Sequence, residues 1–162
     1  MTLTHGLLDT NILILRADIN PDELPDEMMI SAITTAELSV GVLVAAGTQE
    51  LAQRMKTLQA VEAEFDPLPF DDTAAREYGQ LWTSVIASGR KPRPRTADLM
   101  IACVAIANRL PLYTCNPKDF EGLDHLLTVV PVTRPRWVSA AVGGRADASG
   151  SALPGEQAQC GR

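Results

Sequence analysis

Four carboxylates interrupt or closely follow apolar stretches of this 162-residue chain: Asp9, Glu37, Asp98 and Asp119. Asp9 ends the run Gly6-Leu7-Leu8 and is followed by Thr10 and Asn11, two further side chains with oxygen to offer. Glu37 and Asp98 fall in the expected first turns of two helices, and Asp119 follows a short strand by the loop Cys115-Asn116-Pro117-Lys118. Singly, each has an ordinary use: an acid in a first helical turn complements the dipole by ~0.3–1 kcal/mol, and Asp119 suits a turn or a cap. Together they are costly. If they lie within about 5 Å of one another, each pair repels by about 3 kcal/mol at an effective dielectric near 20. Such a group needs a cation, or some members must take up protons. Oxygen donors with no paired His or Cys favour Mg²⁺ or Mn²⁺ over zinc. His5 and His125 have no ligand spacing and read as ordinary surface or core residues.

Bringing these acids together requires strands that end on the same side of a sheet. Short apolar segments at 6–8, 28–31, 112–114 and 127–132 read as strands, and 65–70, broken by Pro67 and Pro69, as an edge strand. Helical spacing runs between them. The expected helices are 11–16, a second from a cap at Thr34 or Thr35 towards Ala46, a third over 49–64, and a fourth from Asp71 or Asp72 to Ser88-Gly89. A fifth, capped by Thr96, covers 97–109. It carries Leu99, Met100, Ile101, Cys103, Val104, Ile106 and Ala107 around nearly its whole circumference, which marks a central buried helix. Alternating strands and helices imply an α/β fold with a mostly parallel, about five-stranded sheet covered on both faces. In such sheets sites form beyond the carboxyl ends of the strands.

The unit expected to fold spans 1–135. From 136 the composition changes, and 14 of the last 24 residues are Gly, Ala or Ser, so 136–162 is expected to be a flexible tail. Acidic residues number 20 and basic ones 14, a formal charge of −6, which excludes nucleic-acid binding by bulk positive charge. Any hold on phosphate must be local, and Arg90, Lys91, Arg93 and Arg95, just upstream of Asp98, are the candidates for the backbone of an RNA. The alternative is a solvated loop that serves solubility. Three cysteines without a CxxC argue against a disulfide scaffold. The longest uncharged apolar stretch, 99–107, is too short to span a membrane. No secretory leader is evident, and a soluble cytoplasmic protein is expected. Aromatics make up 4% of the chain, so a broad base-stacking platform is not indicated. Tyr78 and Trp82, i and i+4 on one helix, read as core or dimer contact, and Leu38, Val42, Val44, Leu51 and Met55 as core or an apolar groove.

The ordered set Leu8-Asp9-Thr10-Asn11, Ser31-x-x-Thr34-Thr35-Ala36-Glu37-Leu38-x-x-Gly41, Thr96-Ala97-Asp98-Leu99-Met100-Ile101-Ala102 and Tyr113-Thr114-x-Asn116-x-x-Asp119-Phe120 resembles the PIN domain. More narrowly it is similar to the VapC-type ribonuclease toxins of bacterial toxin–antitoxin pairs, over roughly residues 5 to 133. Each motif alone is weak; the set in order is specific. The resemblance implies a three-layer α/β/α sandwich and Mg²⁺-dependent cleavage of RNA to 5′-phosphate and 3′-hydroxyl ends. It also implies a small cognate antitoxin, bound through an apolar groove, and a homodimer. By position it makes Asp9, Glu37, Asp98 and Asp119 the catalytic quartet, with Asp9 and Asp98 as direct metal ligands. Thr10, Asn11, Thr114 and Asn116 are the polar residues around it. Cys115 stands where a polar or basic residue is expected, and the segment past Pro135 is longer than expected; neither touches the quartet. A phosphatase of the HAD type also begins with a strand-end Asp, but its second Asp is here Asn11. A response-regulator receiver would need an acidic pair and a strand-end Lys that are not evident. A degenerate domain acting only as a binding module would lack a quartet member, and none is missing.

Overall fold

A computed structural model describes residues 4–136. The segment expected to be a tail lies outside the described residues, Arg136 excepted. Four strands form one parallel sheet: β1 (His5–Leu8), β2 (Glu27–Met29), β3 (Leu112–Thr114) and β4 (Val129–Pro131), in the order β2-β1-β3-β4. Five helices accompany them: α1 (Thr10–Leu15), α2 (Ala32–Leu43), α3 (Thr48–Glu64), α4 (Asp72–Ala87) and α5 (Thr96–Ala107). From β1 the chain turns to β2 on one side, while β3 lies on the other. The switch in direction therefore falls between β1 and β3, where α/β sheets place their sites.

The strand period of two splits the core. Leu7 and Leu112 face α4 and α5, packing with Leu81, Val85, Leu99 and Ile101. Leu8 and Tyr113 face the other way, packing with Ile12, Leu13, Leu38 and Val61 from α1, α2 and α3. The result is the expected three-layer α/β/α sandwich. α5 is buried at Leu99 and over 101–105, as its apolar circumference requires. Tyr78 and Trp82 are half-buried against the α4–α5 core, ring centroids 5.8 Å apart.

The sheet has four strands rather than five. Residues 65–70 add one bridge, in which Leu68 N donates to Ile30 O and Leu68 O accepts from Ala32 N, both at 2.8 Å. Pro67 and Pro69 alternate with Leu68, so the N–H groups they lack would lie on the side away from Ser31, and no further strand can pair there. Two caps also differ. Ser31, not Thr34 or Thr35, caps α2, its hydroxyl accepting from Thr34 N at 3.1 Å. Thr96 is the first residue of α5 and its hydroxyl donates backwards to Arg93 O at 2.9 Å. Asp71 caps α4 as expected, accepting from Thr73 N and Ala74 N. Among the described residues no helix is long and apolar enough to cross a membrane.

Candidate active site

Among the described residues, the buried polar side chains are Asp9, Ser31, Thr34 and Thr114, and all belong to one hydrogen-bonded network. A buried polar group without partners costs several kcal/mol, so such a concentration marks the place where the fold is organised around chemistry. The network begins at the carboxyl end of β1. Asp9 caps α1, its Oδ1 accepting from Thr10 N at 2.8 Å. Its Oδ2 accepts from Asn11 Nδ2 at 2.6 Å and from Thr114 Oγ1, at the end of β3, at 2.7 Å. Asn11 ties the strand ends further: its Oδ1 accepts from Cys115 N at 3.0 Å. Asp9 is 3% exposed. Burial pushes its carboxyl above the ordinary value, the three hydrogen bonds hold it down, and the neighbouring Glu37 charge adds to the rise.

Thr10 carries the network to α2. Its Oγ1 donates to Glu37 Oε2 at 2.5 Å and lies 3.4 Å from Thr34 Oγ1, which is 3.2 Å from Ser31 Oγ. Because α2 starts at Ala32, Glu37 is not in the first turn of its helix. Its use is therefore not to complement the helix dipole; it is aimed at Thr10. Ser31 and Thr34 support the site without having been singled out as site residues. The available signal is Ser31 and Thr34, two small polar residues three positions apart at the start of the helix.

On the far side, Thr114 Oγ1 accepts from Asn116 N at 3.0 Å, and Asn116 Nδ2 donates to Asp119 Oδ2. Asp119 lies in a 3₁₀ turn, Pro117–Phe120, and its Oδ1 and backbone O both accept from Arg95 Nη1, at 3.0 and 2.9 Å. Asp98, in the first turn of α5, faces this assembly and accepts no hydrogen bond from a described residue. Burial, then the charges of Asp9, Asp119 and Glu37, push its pKa up to about 7, while Arg95 pulls it down. The four sequence-predicted acids thus act on one another in one field.

This field fits a hard divalent ion by its donor chemistry: half-buried carboxylate oxygen, with one acid, Asp98, that accepts from no donor among the described residues. Among the described residues no three His, Cys, Asp or Glu side chains are already gathered as a cage. The reason lies in the partners just named, since Glu37 is turned to Thr10 and Asp119 to Asn116 and Arg95.

The basic loop divides in two. Arg90 and Arg95 are half-buried and engaged, Arg90 with Glu121 at 3.6 Å and Arg95 with Asp119. Lys91 and Arg93 are exposed, and their side chains have no partner among the described residues. The expected groove residues divide as well: Leu38 and Val42 are core, while Val44, Leu51 and Met55 are exposed together with Val40 and with Leu43, which is 84% exposed.

Comparison with known proteins adds four findings. A family model described as the PIN domain matches residues 6–126. Ribonuclease VapC5 of Mycobacterium tuberculosis (strain ATCC 25618 / H37Rv) is 41% identical over 131 residues, covering 79% of this chain and 94% of that protein. The tRNA(fMet)-specific endonuclease VapC of Shigella flexneri is 30% identical over 129 residues, covering 75% of this chain and 94% of that protein. Among solved structures, a crystal structure of a member of the VapBC family of toxin–antitoxin systems, VapBC-5 from Mycobacterium tuberculosis, matches with a TM-score of 0.68 at 41% identity. It covers 78% of this chain and 95% of that one.

Proposed function

This chain belongs to the PIN-domain family, and from that premise we propose that it is a metal-dependent endoribonuclease, the toxin of a type II toxin–antitoxin pair, acting in the cytoplasm. The observation that carries the proposal is Asp98, a half-buried carboxylate with no donor among the described residues, facing Asp9, Glu37 and Asp119. An acid so placed has use for a cation. Ribonuclease relatives, at 41% identity for VapC5, support RNA as the substrate class.

Asp9 and Asp98 would hold Mg²⁺, or Mn²⁺, with Glu37 and Asp119 flanking them. The chemistry a bound divalent ion supplies is polarisation of the phosphate and activation of water for in-line attack. The chain's residues supply preorganisation. Asp9 is fixed by three donors and needs no rearrangement to present the remaining lone pair of its Oδ1. Thr10 and Asn116 fix Glu37 and Asp119 in the same way. Lys91 and Arg93 draw the RNA backbone towards the site against a net charge of −6.

Two protein partners complete the proposal, a small cognate antitoxin and a second copy of the chain. The solved VapBC-5 structure supports the first. The exposed side chains Val40, Leu43 and Val44 on or beside α2 are apolar surface that either partner would cover.

The test is cleavage of labelled RNA by the purified chain. We expect cutting with Mg²⁺ or Mn²⁺, none with EDTA, and a loss of at least about a thousandfold in Asp98→Ala and Asp9→Asn. An Asp98→Ala protein that cuts as fast as the parent overturns the assignment.

A further inference from the structure

The four basic residues upstream of Asp98 do not share one environment, and Arg95 is the exception that matters. It occupies the N-cap position of α5, three residues before Asp98, at the end of the 3₁₀ turn Arg93–Arg95. Its Nη1 bridges the backbone O and the Oδ1 of Asp119. Asn116 holds the other oxygen, Oδ2, so both carboxylate oxygens of Asp119 are engaged. Arg95 and Asp119 are only 23% and 28% exposed, so their attraction is less screened than that of a surface pair. Arg90 reaches Glu121, one residue past the 3₁₀ turn Pro117–Phe120 that holds Asp119, and the basic loop is thereby stapled to the Asp119 segment at two points.

Resting on the nuclease reading above, we propose that Arg95 is a positioning residue of the acidic site, not an RNA clamp: it is the built-in counter-charge that fixes Asp119 and restrains how tightly the site binds its divalent ion. Two opposite consequences follow from removing it. The site gains one net negative charge, so the ion binds more tightly. Asp119 loses one of its two anchors, so its carboxylate wanders and the chemical step slows, because small misplacements at a reacting centre are expensive.

Mg²⁺ binding to the RNA-free protein, measured by calorimetry, and single-turnover RNA cleavage at saturating Mg²⁺ test this together. In Arg95→Gln the Mg²⁺ dissociation constant should fall roughly tenfold, and the cleavage rate should also fall roughly tenfold, with the KM for RNA unchanged. Arg95→Lys keeps the charge and should return the Mg²⁺ affinity to the parental value with part of the rate. An unchanged Mg²⁺ affinity with a raised KM would make Arg95 a phosphate clamp and overturn the proposal. A weakened Mg²⁺ affinity, not rescued by Lys, would make its role structural and overturn it equally. A parent chain that neither binds the ion nor cuts RNA overturns the nuclease reading itself, and this inference with it.

Discussion

Thr114 Oγ1 donates to Asp9 Oδ2 at 2.7 Å, joining the ends of β3 and β1 across 105 positions of sequence. This bond does two things. It locks the two central strands at the point where the strand order switches direction, and it stabilises the charged form of an acid whose pKa burial raises. Thr114→Val keeps the shape and deletes both the donor to Asp9 and the acceptor of Asn116 N. It should cost about 1–2 kcal/mol of stability and slow cleavage by about tenfold or more, with Thr114→Ser close to the parent. Urea unfolding and single-turnover cleavage, run on the same three proteins, check both numbers.

The titration of Asp98 sets a pH dependence with a definite sign. Its pKa rises from the ordinary 3.8 to about 7 in the fold, through burial and the charges of Asp9, Asp119 and Glu37, with Arg95 opposing. Between those values the folded chain holds a proton that the unfolded chain has lost. Stability of the metal-free protein therefore falls as pH climbs from about 4 to about 7 and levels off above. Asp9 is shifted in the same direction and adds to the trend. In EDTA the melting temperature should be lower at pH 8 than at pH 5, and the difference should shrink in Asp98→Asn. Added Mg²⁺ should raise the melting temperature more at pH 8, where no proton must leave first. Identical pH profiles for the parent and Asp98→Asn would show that Asp98 does not titrate in this window.

The parts of this fold that could be read from sequence are those with strong local pattern. Asp9 was visible because an apolar run stops at an acid, and α5 because it is apolar all round. What failed was decided by backbone donors or by distant contacts. The 65–70 segment has a strand's composition, but it joins the chain beside it through a single bridge, Leu68 with Ser31, and its prolines leave its outer edge without donors. The start of α2 moved because Ser31 could cap it earlier, which carried Glu37 out of the first turn. The pairing of Arg95 with Asp119 links two 3₁₀ turns, elements without a periodic signature, over a separation of 24 residues. No count of local charges could have separated Arg95 from Lys91 and Arg93.

Gly6 is required by its neighbour. A Cβ at Gly6 on β1 would sit 2.4 and 2.6 Å from ring carbons of Tyr113 on β3, and that ring is buried. Gly6→Ala must push the ring or part the strands, at a cost of about 1–3 kcal/mol. Tyr113 leads directly into Thr114, so the displacement reaches the Asp9 hydrogen bond as well. We expect a lower urea midpoint with an unchanged slope, accompanied by slower cleavage under conditions where the protein is still folded. A loss of stability with full cleavage activity would show that the strand ends are insulated from the ring.

The remaining prediction concerns how a chain of charge −6 holds a polyanion. The side chains of Lys91 and Arg93 are exposed and unpartnered among the described residues, whereas Arg90 is engaged with Glu121. Only a cation free to replace counterions on the RNA contributes to the salt dependence of binding. Each such contact to a single strand adds about 0.7 to the slope of log affinity against log salt. Lys91→Gln with Arg93→Gln should therefore flatten the slope by about 1.4, while Arg90→Gln should change it far less. Binding is best measured on the cleavage-deficient Asp98→Ala protein, across a range of salt concentrations. If the double variant keeps the parental slope, the loop is a solvated one and the RNA is held elsewhere.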